Sequence, residues 1–182
     1  MKFNEIEKLV NEKIEEENLV EGKFSYNDCV YEVKRIIKEV IGDNERIALD
    51  CGYGDKGNVV LKVKGEYNYK IVFKVRRKKN GFEYTGIWGS VNYYGIKKIE
   101  IENYYNGVES IEDFIKYVDE CRKSKEEYRV KKIVEFEEML ESEGISFERF
   151  YEMMNKYKNL DYSDKVNIAK EYCGDENYWR YV

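Results

Sequence analysis

Histidine, proline and glutamine are absent from this 182-residue chain. Without histidine the usual general base near neutral pH is missing, and so is the usual partner of a Ser or Cys nucleophile. Zinc sites built from Cys/His clusters are excluded as well, which leaves an all-Cys or carboxylate set for any metal. The four cysteines, Cys29, Cys51, Cys121 and Cys173, are scattered with no CxxC pair. They read as reduced, mostly buried small hydrophobes in preference to metal ligands or disulfide partners. No apolar run approaches the length of a membrane span and no signal-peptide pattern opens the chain. The expectation is a cytoplasmic protein with no membrane partner and no cofactor.

What is present is a real core: 42% of residues are hydrophobic and 15% aromatic, with 18 tyrosines. Residues 2–20 carry a helical stripe of Phe3, Ile6, Val10 and Ile14. A second helix is expected over Tyr26–Ile41, started by Ser25 with Asp28 three residues on, striped by Val30, Val33, Ile37 and Val40, and stopped at Gly42. From Glu45 to about Glu102 the period changes to two, with strands near Arg46–Cys51, Asn58–Lys64, Tyr67–Arg77, Phe82–Trp88 and Val91–Ile101. Helical period returns after 103–109. Ser110 with Asp113 caps a segment over Ile111–Ser142, as one helix or as two with a break near Ser124. Ser146 and Ser163 start two more, the first carrying Met153 and Met154 on its core side. The expected fold class is α+β: a central antiparallel β-meander of about five strands, flanked by N-terminal and C-terminal helices. Its segments are 1–44, 45–105 and 106–182, packed as one unit.

The stretch Lys70–Trp88 organises this reading. Asn80-Gly81 lies between two alternating runs, and a two-residue type I′ loop there sets Lys78 opposite Glu83, Arg77 opposite Tyr84, Val75 opposite Gly86 and Phe73 opposite Trp88. One face becomes Ile71, Phe73, Val75, Tyr84 and Trp88, facing the core. The other becomes a solvated cationic ladder of Lys70, Lys74, Arg76 and Lys78 around Val72, Thr85 and Ile87.

Two patterns resemble catalytic motifs and fall short of them. Gly52-Tyr53-Gly54-Asp55-Lys56-Gly57 spells GxGxxG, but a strand-like run follows where a dinucleotide site needs a helix, so a hairpin loop is favoured. Asp50 before Lys62-Val63-Lys64 lacks the second acid of a restriction-type nuclease core. A metal-assisted enzyme using Asp50, Asp55 and Glu66 is therefore the weakest of three functional classes.

Charge is segregated along the chain. Residues 1–45 hold 7 basic and 12 acidic groups, residues 46–105 hold 12 and 6, and residues 106–182 hold 13 and 19, within an overall net charge of −5. Lysine on strands resists edge aggregation and glutamate suits exposed helix, so solubility is one account. The functional account assigns Lys70, Lys74, Arg76 and Lys78, with Arg77 and Lys79 at the hairpin tip and Lys97-Lys98, to non-specific contact with a phosphate backbone of double-stranded DNA. It assigns Glu15, Glu16 and Glu17 and the cluster Glu135, Glu137 and Glu138 to an Arg/Lys-rich partner surface.

In length and charge profile the chain resembles phage or mobile-element inhibitors of host defence, in the first place anti-CRISPR inhibitors of type II RNA-guided nucleases, and in the second DNA-mimic antirestriction proteins. The resemblance implies a non-enzymatic inhibitor that binds a guide-loaded nuclease, or another nucleic-acid-processing enzyme, and interferes with DNA engagement or cleavage. Such inhibitors share no common fold, so it transfers no site residues. The positive sheet departs from a pure DNA mimic and leaves direct nucleic-acid binding as the alternative.

Overall fold

Burial of one apolar stripe per helix against one face of a sheet builds the first part of the molecule. The computed structural model describes residues 1–51, 57–84, 89–143 and 161–173. Two units divide the chain, Met1–Asp119 and Glu120–Val182.

In the first unit, α1 (Phe3–Glu16) buries Phe3, Ile6, Val10 and Ile14. At its start the Lys2 amide donates to Glu5 Oε2 at 3.1 Å. The helix is shorter than the periodicity suggests because Asn18 takes a left-handed conformation, φ 52°, a conformation asparagine tolerates at helix C-termini. A single 3₁₀ turn, Leu19–Glu21, follows. Helix α2 (Asp28–Ile41) buries Cys29, Val30, Val33, Ile36 and Ile37. The Ser25–Asp28 pair closes both ways: the Asp28 amide donates to Ser25 Oγ at 3.2 Å and the Ser25 amide to Asp28 Oδ2 at 3.3 Å. Gly42 ends α2 at φ 71°, where a Cβ would be strained.

The strands are β1 (Ile47–Cys51), β2 (Val59–Val63), β3 (Ile71–Tyr84) and β4 (Ser90–Glu102), an antiparallel sheet in sequence order. Among the described residues there are four strands, not about five. The difference lies at Asn80-Gly81, where β3 runs straight on to Tyr84 and pairs with β4 throughout. Lys78 faces Gly95, Arg77 faces Ile96, Val75 faces Ile99 and Phe73 faces Ile101, and the chain reverses between Tyr84 and Ser90.

The physical reason is tertiary. The Asn80 side-chain amide donates to the carbonyls of Val20 at 2.8 Å and Gly22 at 2.9 Å, and a register shift between Lys79 and Gly81 absorbs the residue as a bulge. Gly95 makes this approach feasible, since a Cβ there would lie 1.8 Å from the Val20 carbonyl oxygen.

Ile71, Phe73 and Val75 are buried as expected, but Tyr84 is 74% exposed; Thr85, Ile87 and Trp88 lie outside the described residues. The GxGxxG run joins two adjacent antiparallel strands, β1 and β2, which fits the hairpin-loop reading; 52–56 lie outside the described residues.

The core joins the stripes of α1 and α2 to Val59, Leu61, Val63, Ile71, Phe73, Val75, Ile96 and Ile99. The first turns of α3 (Ile111–Glu143) add Ile111, Phe114 and Val118 to the same cluster. Ser110 and Asp113 cap it, the Asp113 amide donating to Ser110 Oγ at 3.1 Å. Helix α3 is continuous through Arg122–Glu127, where apolar periodicity fails. That segment has no Gly or Pro to break it, and pairs such as Lys123–Glu127 at 3.7 Å support it.

In the second unit, α4 (Tyr162–Cys173) starts earlier than Ser163 predicts, because Asp161 provides the cap: its Oδ1 accepts from the Asp164 amide at 2.9 Å. Asp164, 2% exposed, accepts from Arg129 Nε at both carboxylate oxygens, at 2.7 and 2.9 Å. The helix expected after Ser146, with Met153 and Met154, lies outside the described residues. No helix of the described residues is long and apolar enough to cross a membrane.

Candidate interaction surfaces

The expected cationic ladder exists as a row on one face of the sheet, but it is not a bare row of cations. Strand pairing places Glu100 opposite Lys74 and Glu102 opposite Val72, so carboxylates lie within diagonal reach of the basic side chains. Lys74 pairs with Glu102, and Arg76 Nη2 lies 2.6 Å from Glu100 Oε2. Lys98 lies 2.8 Å from the other Glu100 oxygen, Lys78 reaches Glu21 at 2.7 Å and Lys62 reaches Asp50 at 3.1 Å. Five cations therefore meet four carboxylates. The Lys98 ammonium and the Arg76 guanidinium hold the Glu100 carboxyl down at about 2. Lys74 lowers Glu102 and Lys62 lowers Asp50 in the same way.

Arg77 is not at a hairpin tip. It sits mid-strand with its guanidinium 3.9 Å over the Tyr26 ring, donating to the carbonyls of Gly57 at 2.5 Å, Val75 at 3.0 Å and Tyr26 at 3.3 Å. It also faces Cys29, whose thiol is pushed up by burial against the pull of this guanidinium. Arg77 is thus a clamp between the start of α2 and the sheet. Lys70 precedes β3, with its amide donating to the Tyr105 hydroxyl at 2.9 Å. Lys79 and Lys97 are exposed, Lys79 near the bulge at Asn80 and Lys97 as the extra residue between Ile96 and Lys98. Farther along, β3 presents Phe82, 68% exposed, and Tyr84.

The acidic side chains divide by unit. On α1, Glu15 and Glu16 are exposed and make no ion pair among the described residues. Glu17 pairs with Arg35, which also holds Glu32 at 2.6 Å and Glu39 at 2.5 Å. Lys13 lies 2.7 Å from Glu39 and, with Arg35, lowers its carboxyl. Two cations thus tie down three carboxylates at the α1–α2 seam, and Glu15 and Glu16 remain beside them. In the second unit Glu135 is engaged by Lys132 at 2.5 Å and Lys131 at 3.8 Å. Glu138 is exposed; Glu137 lies on α3 with its side chain outside the described set.

Among the described residues no group of three or more Cys, Asp or Glu is placed to hold a metal ion. Of the acids considered for metal-assisted chemistry, Asp50 is paired to Lys62 and Glu66 accepts from the Tyr67 and Asn68 amides at 3.0 and 3.1 Å. Asp55 lies outside the described residues.

Sequence reasoning missed Glu21, Glu100 and Glu102 as partners of the ladder. Cross-strand placement of Glu100 and Glu102 follows only from the β3–β4 register, which the Asn80-Gly81 signal set wrongly. Comparison with protein-family models, curated proteins and solved structures gives no match to this chain.

Proposed function

We propose that this protein is a non-enzymatic, cytoplasmic inhibitor that docks the acidic end of α1 onto a basic nucleic-acid channel of a nucleic-acid-processing enzyme. A guide-loaded type II nuclease is the partner whose chemistry fits, because it holds its heteroduplex in a positive channel. The observation that carries the reading is the imbalance of partners. The sheet's cations are largely matched by carboxylates of the same unit, whereas Glu15 and Glu16 stand exposed without an ion-pair partner among the described residues. A phosphate backbone would have to displace the ladder's own carboxylates, while a basic surface meets Glu15 and Glu16 directly.

The test is inhibition of DNA cleavage by a guide-loaded type II nuclease, titrated with the wild-type protein and with the Glu15→Lys/Glu16→Lys double variant. Saturation at one inhibitor per nuclease, at least tenfold weaker for the variant and weaker with rising salt, is expected. Equal inhibition by both proteins removes the α1 surface from the reading.

A second reading rests on Lys79 and Lys97, exposed on β3 and β4, with Phe82 and Tyr84 exposed farther along β3. Cations and exposed aromatics along one pair of strands suit a nucleic-acid strand. A gel-shift titration at two salt concentrations, with Lys79→Ala/Lys97→Ala alongside, decides it. Lack of a shift at low salt excludes this reading.

A further inference from the structure

The segment 18–25, between α1 and α2, is fastened to the sheet at a few points. Phe24 exchanges backbone bonds with Tyr94 at 3.0 and 2.9 Å, and Lys78 reaches Glu21 at 2.7 Å. Leu19 is buried in the core. Asn80 adds a fastening of a different kind. Its Nδ2 donates to the Val20 carbonyl at 2.8 Å and to the Gly22 carbonyl at 2.9 Å, so both N–H bonds of the amide are spent on this segment. The other end of the group, Oδ1, is buried and has no hydrogen-bond partner among the described residues.

Such a seat fits an amide and rejects a carboxylate. An oxygen in place of Nδ2 would stand against two carbonyl oxygens, and the oxygen at Oδ1 would still find no donor. A charge with no donor at either oxygen is the costly case for a group kept from water. Of the adjacent cations, Lys78 is engaged by Glu21 and Lys79 is exposed.

Gly81 follows Asn80, and a residue without a side chain least obstructs the spontaneous conversion of an asparagine amide. The Gly81 backbone nitrogen attacks Asn80 Cγ. An N–Cγ bond forms, the Cγ–Nδ2 bond breaks, and ammonia leaves with the former Gly81 amide proton. Water then opens the cyclic imide at either carbonyl, leaving aspartate or isoaspartate at position 80. In the fold both reacting groups are held. The bonds between Tyr94 and Phe24 turn the Tyr94 backbone away from β3, and antiparallel alternation turns that of Tyr93 toward it; Gly81 lies opposite Tyr93, inside the ladder. The Asn80 amide is pinned by Val20 and Gly22.

We propose that Asn80-Gly81 is a modification site that works as a one-way latch on the segment 18–25. The segment stays fastened while residue 80 is an amide. Opening of the segment frees Asn80 and Gly81 to close the imide, and the acid that results prevents the segment from reseating. The latch does not depend on the inhibitor reading.

The chain carries its own reference: Asn106-Gly107, exposed in the turn before α3. The full chain is incubated at mildly alkaline pH, folded and in urea, and a mass gain of about 1 Da is followed peptide by peptide. In the folded chain Asn80 should convert at least about tenfold more slowly than Asn106, and in urea the two rates should converge. Equal conversion in the folded chain overturns the proposal. Gly81→Ala, measured in urea where no fold constrains it, should slow conversion at 80 and leave 106 unchanged; conversion at the original rate overturns the imide route.

The consequence is read by amide exchange in Asn80→Asp and Asn80→Ala. Phe24 and Tyr94 should exchange faster in the Asp variant than in the Ala variant, because Ala removes the donors without setting a charge against the carbonyls. Ile71 and Phe73 should keep their protection in both. Protection of Phe24 and Tyr94 retained in Asn80→Asp overturns the proposal, as does equal exchange in the two variants. Loss of protection at Ile71 and Phe73 overturns it as well, by making residue 80 a support of the whole sheet.

Discussion

Asn11 offers the sharpest test of how the fold closes itself. Its side-chain amide acts as one residue of a missing fifth strand, accepting from the Ile99 N–H and donating to the Ile99 C=O. Replacing Asn11 with Ala removes both bonds and leaves two half-buried backbone groups unpaired. A net hydrogen bond contributes about 1 kcal/mol, and an orphaned group costs up to about 3 kcal/mol when water is kept out. At a sheet edge water can enter, so about 2 kcal/mol is the expected loss. With a urea slope of about 2 kcal/mol/M, the midpoint should fall by about 1 M.

Because the chain has two units, a bulk transition can mix them. Amide exchange at Ile99 and Ile101 is therefore read alongside: Ile99 should lose protection, and Ile101, held by Glu7, should lose less.

The Asn11→Asp variant adds a sign. Its ionised carboxylate can accept from the Ile99 N–H but sets its other oxygen against the Ile99 carbonyl, near the Glu7 carboxylate. The folded-state value of the introduced carboxyl is then raised above its unfolded value near 3.9. A raised folded value means that the stabilisation is complete below the unfolded value and is lost as pH rises through the folded one. Relative to Asn11→Ala at each pH, Asn11→Asp should be more stable at pH 4 than at pH 7. A midpoint unchanged by Asn11→Ala, with Ile99 still protected, would refute the edge-closing role.

Three other outcomes follow from the same contacts. The Glu100 carboxyl should titrate near 2 by carboxyl NMR, and move toward 4.5 in Arg76→Ala/Lys98→Ala. Since its folded value is depressed, its stabilising contribution is present above the unfolded value and lost as pH falls toward 2; titration near 4.5 in the wild type contradicts the pairing. Gly95→Ala would drive a methyl into the Val20 carbonyl, 1.8 Å away, and should cost about 3 kcal/mol in denaturant titrations or unseat the 3₁₀ turn; neutral behaviour argues against the close approach. Arg129→Ala strips Asp164 of its partner, so exchange across α4 should accelerate while Ile99 and Phe73 keep their protection; unchanged α4 exchange contradicts the anchoring role.

Much of the first unit was legible because its signals are local. The stripes of α1 and α2, the Ser25–Asp28 and Ser110–Asp113 caps and the alternation Ile71, Phe73, Val75 each depend on residues within a turn or a strand. What failed depends on distant partners. Asn80-Gly81 has the composition of a tight turn, yet the carbonyls of Val20 and Gly22 claim the Asn80 amide and the strand continues. With the turn misplaced, the register of β3 was wrong. The carboxylates facing the ladder were therefore invisible, although the cations Lys74, Arg76 and Lys98 can be read directly from the sequence. Asn11 and Glu7 carry no local signal as edge-closing residues, since on α1 they read as ordinary exposed polar positions. The choice between one helix and two with a break near Ser124 stayed open because apolar period is missing there, and that absence reports the loss of a buried face and says nothing about helix propensity.

The pairing of the ladder changes what charge segregation along the chain means. A count by sequence block puts an excess of cations on the sheet and an excess of anions on the helices. In space the sheet's lysines and arginines are largely answered by Glu100 and Glu102 of the same sheet and by Glu21 of the neighbouring turn. Over distances beyond about 8–10 Å at physiological salt, matched pairs of this kind contribute little field. Steering of a charged partner must then come from charges that lack a nearby opposite. In the first unit these include Glu15 and Glu16 at the end of α1, exposed and without an ion pair among the described residues. The end of α1 is thus the acidic surface of the first unit that suits a basic partner.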